Sequence, residues 1–328
     1  MNYKPILLIA GEPNSIFLEI FFKSIKIQKI KSPIILIASK KLLYLQMKKL
    51  KFKKKVKILE LKKLPKYKLD NKFINLIDIK YDQKIAFDKI SIKSSKYINK
   101  SFDTGFKIIR SGFTKKIING PISKKYFLKR KYLGVTEFIS NKFKSKKNAM
   151  LIYNKKLSVC PITTHLPLKY VIKKINSKNI KEKVFLINNF YIKNFDFKPR
   201  IAVLGLNPHC ESIDKFNEDE KIIKPIIKKM KKKKYSISGP HPADTIFLKN
   251  NRKKYNVIVG MYHDQVLTPI KTLYEYNAIN ITLGLPFIRV SPDHGPNEKM
   301  LGKNQSNPLS LFKSLEFLDK NWLRQKKV

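Results

Sequence analysis

Histidine is scarce in this sequence, and its placement predicts a site for chemistry. His165, His209 and His263 each follow an apolar run that predicts a β-strand, whereas His241 and His294 lie in loops rich in Gly and Pro. Ligands of open α/β sheets bind beyond the carboxyl ends of the strands, and three neutral imidazoles can hold a divalent cation with positions left open for a substrate. Because the first three are far apart in the chain, only the fold, or a dimer, could bring them together. Surface or helix-capping histidines are the alternative.

Polar residues elsewhere in the loops extend this prediction. Asp264 is adjacent to His263 and could orient it or exchange protons with a substrate, although capping a turn or helix is the alternative role. The loops GEPNS at 11–15 and GPISK at 120–124 each follow a predicted strand, where the start of a helix offers backbone N–H groups to an anion. Neither loop matches the GxGxxG fingerprint or the P-loop. A nucleotide site here would therefore not be a standard Rossmann crossover, and simple turn chemistry remains the alternative for both loops.

Short apolar runs alternate with helical patterns along the chain. The predicted strands lie at 5–10, 32–38, 56–61, 73–79, 116–119, 150–153, 157–162, 200–206, 235–238, 256–261 and 278–283. The predicted helices lie at 15–27, 40–50, 98–111, 168–175, 181–194, 218–233 and 308–322. This alternation predicts an α/β fold with largely parallel sheets, and the runs at 150–153 and 157–162 predict a hairpin. The length of 328 residues is enough for two lobes.

The composition indicates a globular protein of a reducing compartment. Hydrophobic residues make up 43% of the chain, and no run of about 18 or more apolar residues predicts a membrane span. The apolar run near the start is too short for a signal peptide and is typical of a first strand. The two cysteines provide no disulfide framework. We therefore expect a cytoplasmic protein.

The net charge of +48 raises the question of a nucleic-acid partner. Only six of the 71 basic residues are Arg, at positions 110, 130, 200, 252, 289 and 324, and the rest are Lys. Proteins that read bases or grip phosphates rely on the planar fork of Arg, whereas the Lys residues here are spread along the chain. We therefore predict a solvated basic surface. Tight DNA binding with a steep salt dependence would contradict that prediction.

A series of short motifs extends over nearly the whole chain. They are GEP at 11–13, NGPISK at 119–124, GVTEF at 134–138, TTHLPL at 163–168, GLNPH at 205–209, GPHPADTIF at 239–247, MYHDQ at 261–265, NITLGLPFIR at 280–289 and DHG at 293–295. In order and spacing they resemble the 4-hydroxythreonine-4-phosphate dehydrogenase family, most specifically in the block 261–295. The sequence departs from the family at Val135, where a substrate-contacting His is usual, and in its first loop, which is usually richer in Gly and Pro.

The resemblance implies a two-lobed α/β fold like that of the isocitrate and isopropylmalate dehydrogenases, with the active site in the cleft between the lobes. The first lobe would be built from both chain ends, residues 1–120 and 275–328. The second lobe, residues 121–274, would carry the interface of a homodimer. The active site would be shared across that interface.

The resemblance also implies roles for individual residues. The ligands of a divalent metal (zinc, cobalt or magnesium), in a set shared across the dimer, would be His165, His209 and His263. The residues that contact the phosphorylated substrate would be Thr136, Lys271, Asn280 and Arg289. The residues that contact the adenosine of NAD, or of NADP, would be His294, Gly295 and Gly302. The candidate acid/base residues are Asp244 and Asp264.

The implied reaction is the NAD-dependent, metal-assisted oxidation of 4-phosphohydroxy-L-threonine to 2-amino-3-oxo-4-phosphohydroxybutanoate. That product would decarboxylate to 3-amino-2-oxopropyl phosphate in pyridoxal phosphate biosynthesis. Val135 keeps open a dehydrogenase of another phosphorylated hydroxy acid, such as a four-carbon sugar acid phosphate. A non-catalytic, basic nucleic-acid-binding protein is the alternative of another class, and an inactive homologue is a third.

Overall fold

The chain divides into two compact units. The computed structural model describes residues 3–27, 30–128, 131–132, 134–292 and 294–319. The first unit contains the chain up to Phe138 and again from Pro286 onward, and the second runs from Ile139 to Leu285. Residues from both ends of the sequence therefore belong to one unit. The divisions lie after residues 138 and 285, whereas the sequence placed them after residues 120 and 274.

The first unit is built on parallel strands. They are β1 (Ile6–Ile9), β2 (Ile34–Ala38), β3 (Val56–Ile58), β4 (Ile74–Asp78), β5 (Lys116–Asn119) and β12 (Ile288–Pro292). Their order is β3-β4-β2-β1-β5-β12, and each neighbouring pair is parallel. The runs ILLI of β1 and IILIA of β2 are buried along their whole length. Continuous apolar strands of this kind are typical of a parallel sheet that is covered on both faces.

Helices cover the strands of the first unit. They are α1 (Phe17–Ile27), α2 (Lys40–Lys49), α3 (Ser95–Arg110), α4 (Val135–Lys142, which continues past the division) and α9 (Leu309–Asp319). Helix α3 buries one apolar face that includes Phe102 and Phe106. A Cβ atom on Gly105 would lie 2.7 Å from Cδ1 of Ile9, so the absence of a side chain allows α3 to approach β1 closely.

The second unit combines an antiparallel hairpin with parallel strands. Its strands are β6 (Ala149–Tyr153), β7 (Ser158–Pro161), β8 (Ile201–Leu204), β9 (Ile237–His241), β10 (Val257–Gly260) and β11 (Ile279–Leu283). Their order is β11-β6-β7-β10-β8-β9. Strand β6 is antiparallel to both β11 and β7, and the pairs from β7 to β9 are parallel. The helices are α5 (Ser177–Phe195), α6 (Lys224–Lys232), α7 (Lys249–Arg252) and α8 (His263–Tyr274).

The structure confirms the α/β class and the predicted hairpin of β6 and β7. The predicted helix at 168–175 is wrong, since this segment forms two short 3-10 turns at Leu168–Tyr170 and Ile172–Lys174. Leu168 and Ile172 are exposed there, so no apolar contact supports a longer helix. The last predicted helix ends within the described residues at Asp319, and positions 320–322 lie outside them. In the described part of the chain, no helix has the length and apolar character needed to cross a membrane.

Candidate active site

Three of the candidate histidines follow three neighbouring parallel strands of the second unit. Strand β10 pairs in parallel with β7 on one side and with β8 on the other. His165, His263 and His209 come a few residues after the carboxyl ends of β7, β10 and β8 respectively. Neighbouring strands lie about 5 Å apart, so the loops that carry the three histidines leave one edge of the sheet side by side. This edge is the usual place for a ligand site in such a sheet.

The loops after β7 and β10 bring two of these histidines together. The ring centroids of His165 and His263 lie 5.5 Å apart. Thr163 fixes the loops relative to each other, because its Oγ1 donates to the carbonyl oxygen of Met261 across 2.8 Å and its backbone N donates to the same oxygen across 3.2 Å. The two imidazoles are therefore positioned by strand ends rather than by a free loop.

Asp264 orients the imidazole of His263. Nδ1 of His263 lies 2.7 Å from Oδ1 of Asp264, and the side chain of Asp264 is 79% exposed. When the ring carries its proton on Nδ1, it donates that proton to the carboxylate, and Nε2 keeps its lone pair. Carboxylate–histidine pairs of this kind set the tautomer of metal-ligating histidines.

A buried carboxylate shapes the loop that carries His209. Asp219 is fully buried, and its carboxylate accepts hydrogen bonds from the backbone N of Leu206 (2.7 Å) and from the backbone N and Nδ2 of Asn207 (3.1 and 3.0 Å). A Cβ atom on Gly205 would lie 2.7 Å from Oδ1 of Asp219, so this close contact requires glycine. His209 itself is exposed and has a left-handed backbone with φ of 55°.

The role of two residues that stabilise these loops, Asp219 and Gln265, is not predicted by any sequence motif. Asp219 lies at the start of a predicted helix, where acidic residues are common for dipole reasons alone. Gln265 connects two loops, because its Oε1 accepts from the backbone N of Met261 (2.7 Å) and its Nε2 donates to the carbonyl oxygen of Gly205 (2.8 Å). Burial is the main cause that raises the pKa of Cys210 to about 11. Its thiol therefore stays protonated at neutral pH, in a form that is a poor metal ligand.

Among the described residues of a single chain, no group of three or more His, Cys, Asp or Glu side chains is placed to hold a metal ion. The chain brings His165 and His263 together, but His209 does not complete a three-ligand group with them. The candidate acid/base residue Asp244 is exposed in the turn that follows β9. Asp264, in contrast, contacts a candidate metal ligand directly.

A buried arginine organises the candidate substrate site of the first unit. Arg289 lies on β12 with only 2% of its surface exposed. Its Nε donates to Oδ1 of Asn119 across 2.7 Å, and its Nη1 donates to Oγ1 of Thr136 across 3.2 Å. Burial lowers the pKa of Arg289 to about 10, and the carboxylate of Glu137 opposes that shift. The guanidinium is therefore charged at neutral pH, and two predicted substrate residues, Thr136 and Arg289, lie in contact.

An aromatic cluster anchors the start of α4 and hence Thr136. Phe138 is buried and packs edge to face against Phe102 and Phe127, with ring centroids 5.4 Å apart in both pairs. Tyr132 packs against the same ring at 5.6 Å. Aromatic pairs in this geometry add to the stability that burial alone provides. The polar residues of the GVTEF motif are thus held by its phenylalanine.

The GEP and NGP motifs pack against each other at the ends of β1 and β5. If Gly11 carried a Cβ atom, that atom would lie 2.4 Å from the carbonyl oxygen of Pro121. A Cβ atom on Gly120 would lie 2.2 Å from the carbonyl oxygen of Ala10. Only glycine therefore allows the two backbones to approach this closely. Glu12 lies inside this contact with 1% of its surface exposed, and its Oε2 accepts from Oγ of Ser94 across 3.0 Å. Burial is the main cause that raises the pKa of Glu12 to about 7.

The other two predicted substrate residues belong to the second unit. Lys271 is exposed in the last turn of α8. Asn280 lies on β11, opposite Ile152 of β6. Its Oδ1 atom is buried and has no hydrogen-bond partner in the part of the chain that the structure describes. Buried acceptors in native proteins normally accept a hydrogen bond, so a ligand or a water molecule would supply the donor here.

The predicted cofactor residues belong to the first unit. Nδ1 of His294 lies 3.0 Å from the carbonyl oxygen of Gly295, and a Cβ atom on Gly295 would meet no atom within 4 Å. Gly302 has φ of 72° and packs against the ring of Phe87. Asp293, the first residue of the DHG motif, lies outside the described residues. The segment therefore offers open backbone near Gly295.

Comparison with known proteins identifies the family to which this chain is similar. Residues 29–318 match the family described as pyridoxal phosphate biosynthetic protein PdxA. The chain is 38% identical over 247 residues to a 4-hydroxythreonine-4-phosphate dehydrogenase of Sulfurihydrogenibium, an alignment that covers 74% of this chain and 76% of the relative. It is 37% identical over 187 residues to a D-threonate 4-phosphate dehydrogenase of Pectobacterium atrosepticum, covering 56% of this chain and 57% of that one.

A solved structure supports the same assignment. The 4-hydroxythreonine-4-phosphate dehydrogenase of Klebsiella pneumoniae is 27% identical and superposes with a TM-score of 0.83, covering 96% of this chain and 97% of that chain. The α/β dehydrogenase fold predicted from the motifs is confirmed. The chain therefore belongs to the PdxA family of pyridoxal phosphate biosynthetic proteins and is an oxidoreductase of the dehydrogenase class.

Proposed function

We propose that this protein oxidises 4-phosphohydroxy-L-threonine with NAD, or NADP, to 2-amino-3-oxo-4-phosphohydroxybutanoate, which decarboxylates to 3-amino-2-oxopropyl phosphate. The observation that carries the proposal is the buried guanidinium of Arg289 in contact with Thr136. A buried cation next to a hydroxyl is suited to a phosphate or carboxylate of the substrate. Relatives named for this reaction add support.

The chain's own residues would bind and orient the substrate. Asn119 fixes the Arg289 side chain through Nε, so the guanidinium loses little freedom when a substrate arrives. The resemblance adds Lys271 as a second positive charge and Asn280 as a polar contact. The buried Oδ1 of Asn280, which has no hydrogen-bond partner among the described residues, supports that role.

The donor set suits a divalent metal. His165 and His263 lie ring to ring, and Asp264 leaves Nε2 of His263 available. We infer that these residues hold the metal together with His209, and that a second copy of the chain completes the set. When bound, the metal would act as a Lewis acid that lowers the pKa of the substrate hydroxyl. Asp264 would keep His263 in the ligating tautomer, and Asp244 remains the candidate for proton transfer.

The proposed cofactor site uses the segment after β12. His294, Gly295 and Gly302 would contact the adenosine, and the open space around Gly295 supports close approach of a ligand. The bound cofactor supplies the acceptor for the two electrons that leave the substrate alcohol. The β-keto acid formed can then lose carbon dioxide, because its carbonyl accepts the electrons of the broken bond.

Exposed apolar side chains support the proposed homodimer. Leu168 and Ile172 follow His165 and are 67% and 56% exposed, and Ile213 and Phe216 follow His209 and are 105% and 56% exposed. Exposed apolar side chains of this size are typical of interaction sites, and these four lie in the two segments that follow candidate metal ligands. A second copy that covers them would lie next to the candidate metal ligands, as a shared site requires.

Oxidation of D-threonate 4-phosphate is the second candidate function. One relative carries that name, and Val135 stands where the family usually has a substrate-contacting His. The two substrates share the phosphate and differ mainly at C2, where one has an ammonium group and the other a hydroxyl. The buried Arg289 suits either compound.

The test is NADH formation by the purified protein with each of the two substrates, before and after chelation. We expect oxidation of the amino-acid substrate, its loss with chelator and its recovery when zinc, cobalt or magnesium is restored. Oxidation of D-threonate 4-phosphate alone would favour the second candidate. Oxidation of neither compound, together with tight and salt-sensitive DNA binding, would favour the non-catalytic alternative.

A further inference from the structure

The carboxylate of Glu137 contains an oxygen that no donor of the described residues reaches. Glu137 follows Thr136 in the first turn of α4, and its Oε2 is buried without a hydrogen-bond partner among the described residues. A buried acceptor left without a donor destabilises the folded protein. Such groups are rare in native proteins and often mark a place for a ligand or a water molecule.

The neighbours of Glu137 belong to the candidate substrate site. Its negative charge acts on the buried guanidinium of Arg289 and favours the charged form of that group. Arg289 in turn donates to Asn119 and Thr136. The need to balance the charge of Arg289 explains why a carboxylate lies at this position. It does not explain why one oxygen of that carboxylate has no hydrogen-bond donor among the described residues. The site thus presents opposite charges close together.

The chemistry of a carboxylate limits what can bind to it. An ionised carboxylate only accepts hydrogen bonds, and it repels the phosphate and carboxylate groups of a substrate. An ammonium group both donates and carries the opposite charge, and charge-assisted hydrogen bonds are about twice as strong as neutral ones. A hydroxyl donates only a neutral hydrogen bond. A phosphorylated amino acid therefore offers the Glu137 carboxylate a charged donor, whereas the corresponding hydroxy acid offers it only a neutral one.

We propose that Glu137 is a substrate-recognition residue that accepts a hydrogen bond from the ammonium group of a phosphorylated amino-acid substrate. It thereby favours that substrate over a hydroxy acid of the same skeleton. The inference rests on the proposed function, because it requires the phosphorylated substrate to bind beside Arg289 and Thr136. It concerns the choice between the two substrate classes named for the relatives.

The test compares the binding of two short probes by calorimetry. O-phospho-L-serine and 3-phospho-L-glycerate carry the same phosphate and carboxylate and differ only in the ammonium or hydroxyl group at C2. We expect the natural protein to bind phosphoserine more tightly. Glu137→Gln should weaken phosphoserine binding roughly tenfold to a hundredfold and leave phosphoglycerate binding unchanged or stronger. Glu60→Gln, which removes an exposed carboxylate paired with Lys63, should change neither.

Three results would overturn the inference. Glu137→Gln keeps the preference of the natural protein, as it would if binding of both probes weakened equally. The natural protein binds phosphoserine no better than phosphoglycerate. The natural protein binds neither probe. If Glu137→Gln does not fold, Glu137→Asp shortens the side chain but keeps the charge, and it should reduce the same preference. A preference that depends on Glu137 without NADH formation would contradict the proposed reaction and leave the recognition role standing.

Discussion

Nε of Arg289 donates to Oδ1 of Asn119 across 2.7 Å, a contact between residues 170 positions apart in the sequence. The two residues lie on neighbouring parallel strands, since β12 pairs with β5. Nδ2 of Asn119 donates to the carbonyl oxygen of Gly120, which turns the amide oxygen toward the guanidinium. The cation of the candidate substrate site is therefore oriented by the end of a strand before any substrate binds.

Asn119→Ala should destabilise the protein and weaken its substrate binding. The variant leaves the buried Nε of Arg289 without its acceptor, which costs about 1–3 kcal/mol in the free energy of unfolding. Urea denaturation measures that loss. Asn99→Ala removes an exposed amide that donates to Ser95 and should stay within about 0.5 kcal/mol of the natural protein. Equal effects of the two variants would show that Asn119 does not support Arg289.

Glu12 should make the stability of the protein depend on pH. Burial raises its pKa from 4.5 to about 7, so the folded state binds a proton that the unfolded state releases between these values. Below pH 4.5 both states are protonated and Glu12 has no net effect. As the pH rises toward 7 the protein loses stability from this group, by up to about 3 kcal/mol when both states are ionised.

Glu12→Gln isolates this effect, because glutamine keeps the shape of the side chain and cannot ionise. The variant should be more stable than the natural protein at pH 8, and this difference should shrink at pH 5. Urea denaturation at the two pH values measures it. Glu60→Gln, at an exposed site, should show no such trend. A difference between Glu12→Gln and the natural protein that is the same at both pH values would rule out titration of Glu12 in this range.

Much of the fold could be predicted because local patterns determine it. Strand β5 occupies the predicted residues 116–119, and an apolar run between helical segments is enough to predict it. Strand β12 and helix α8 were not predicted. Pro269 lies inside α8 and suggests a helix end, and the IRVSP run of β12 is short and ends in proline.

The sequence motifs allow the residues of the candidate site to be proposed one by one, but they do not predict the contacts between those residues. Motifs indicated His165, His263, Thr136 and Arg289, because each lies in a recognisable segment. The order β7-β10-β8, which places the histidine loops side by side, depends on pairing between strands that are distant in sequence. Asp219 acts through backbone groups 12 and 13 positions away. No local pattern reports such contacts, so only the folded structure reveals them.

Asp264→Asn should weaken metal binding. The carboxylate lies 2.7 Å from Nδ1 of His263 and would keep a proton on that atom, and loss of such a partner typically reduces metal affinity about 10- to 100-fold. Titration with cobalt, followed by its visible absorption, measures the affinity without any turnover. Asp196→Asn removes an exposed carboxylate of the same unit, at the end of α5, and should leave the affinity unchanged. If the two variants bind cobalt equally well, Asp264 does not orient a ligand.

Ile213→Asp should separate the subunits of the proposed dimer. Ile213 is fully exposed in the single chain and follows His209 closely in sequence. A charge at this position would have to be buried when a second copy covers the surface, which is strongly unfavourable without a partner. Sedimentation velocity should show a shift from dimer to monomer, and NADH formation should fall with it because the ligand set becomes incomplete. Ile85→Asp alters an apolar residue of the first unit that is 56% exposed and should leave the dimer intact. A natural protein that sediments as a monomer and still oxidises the substrate would show that one chain holds the whole site.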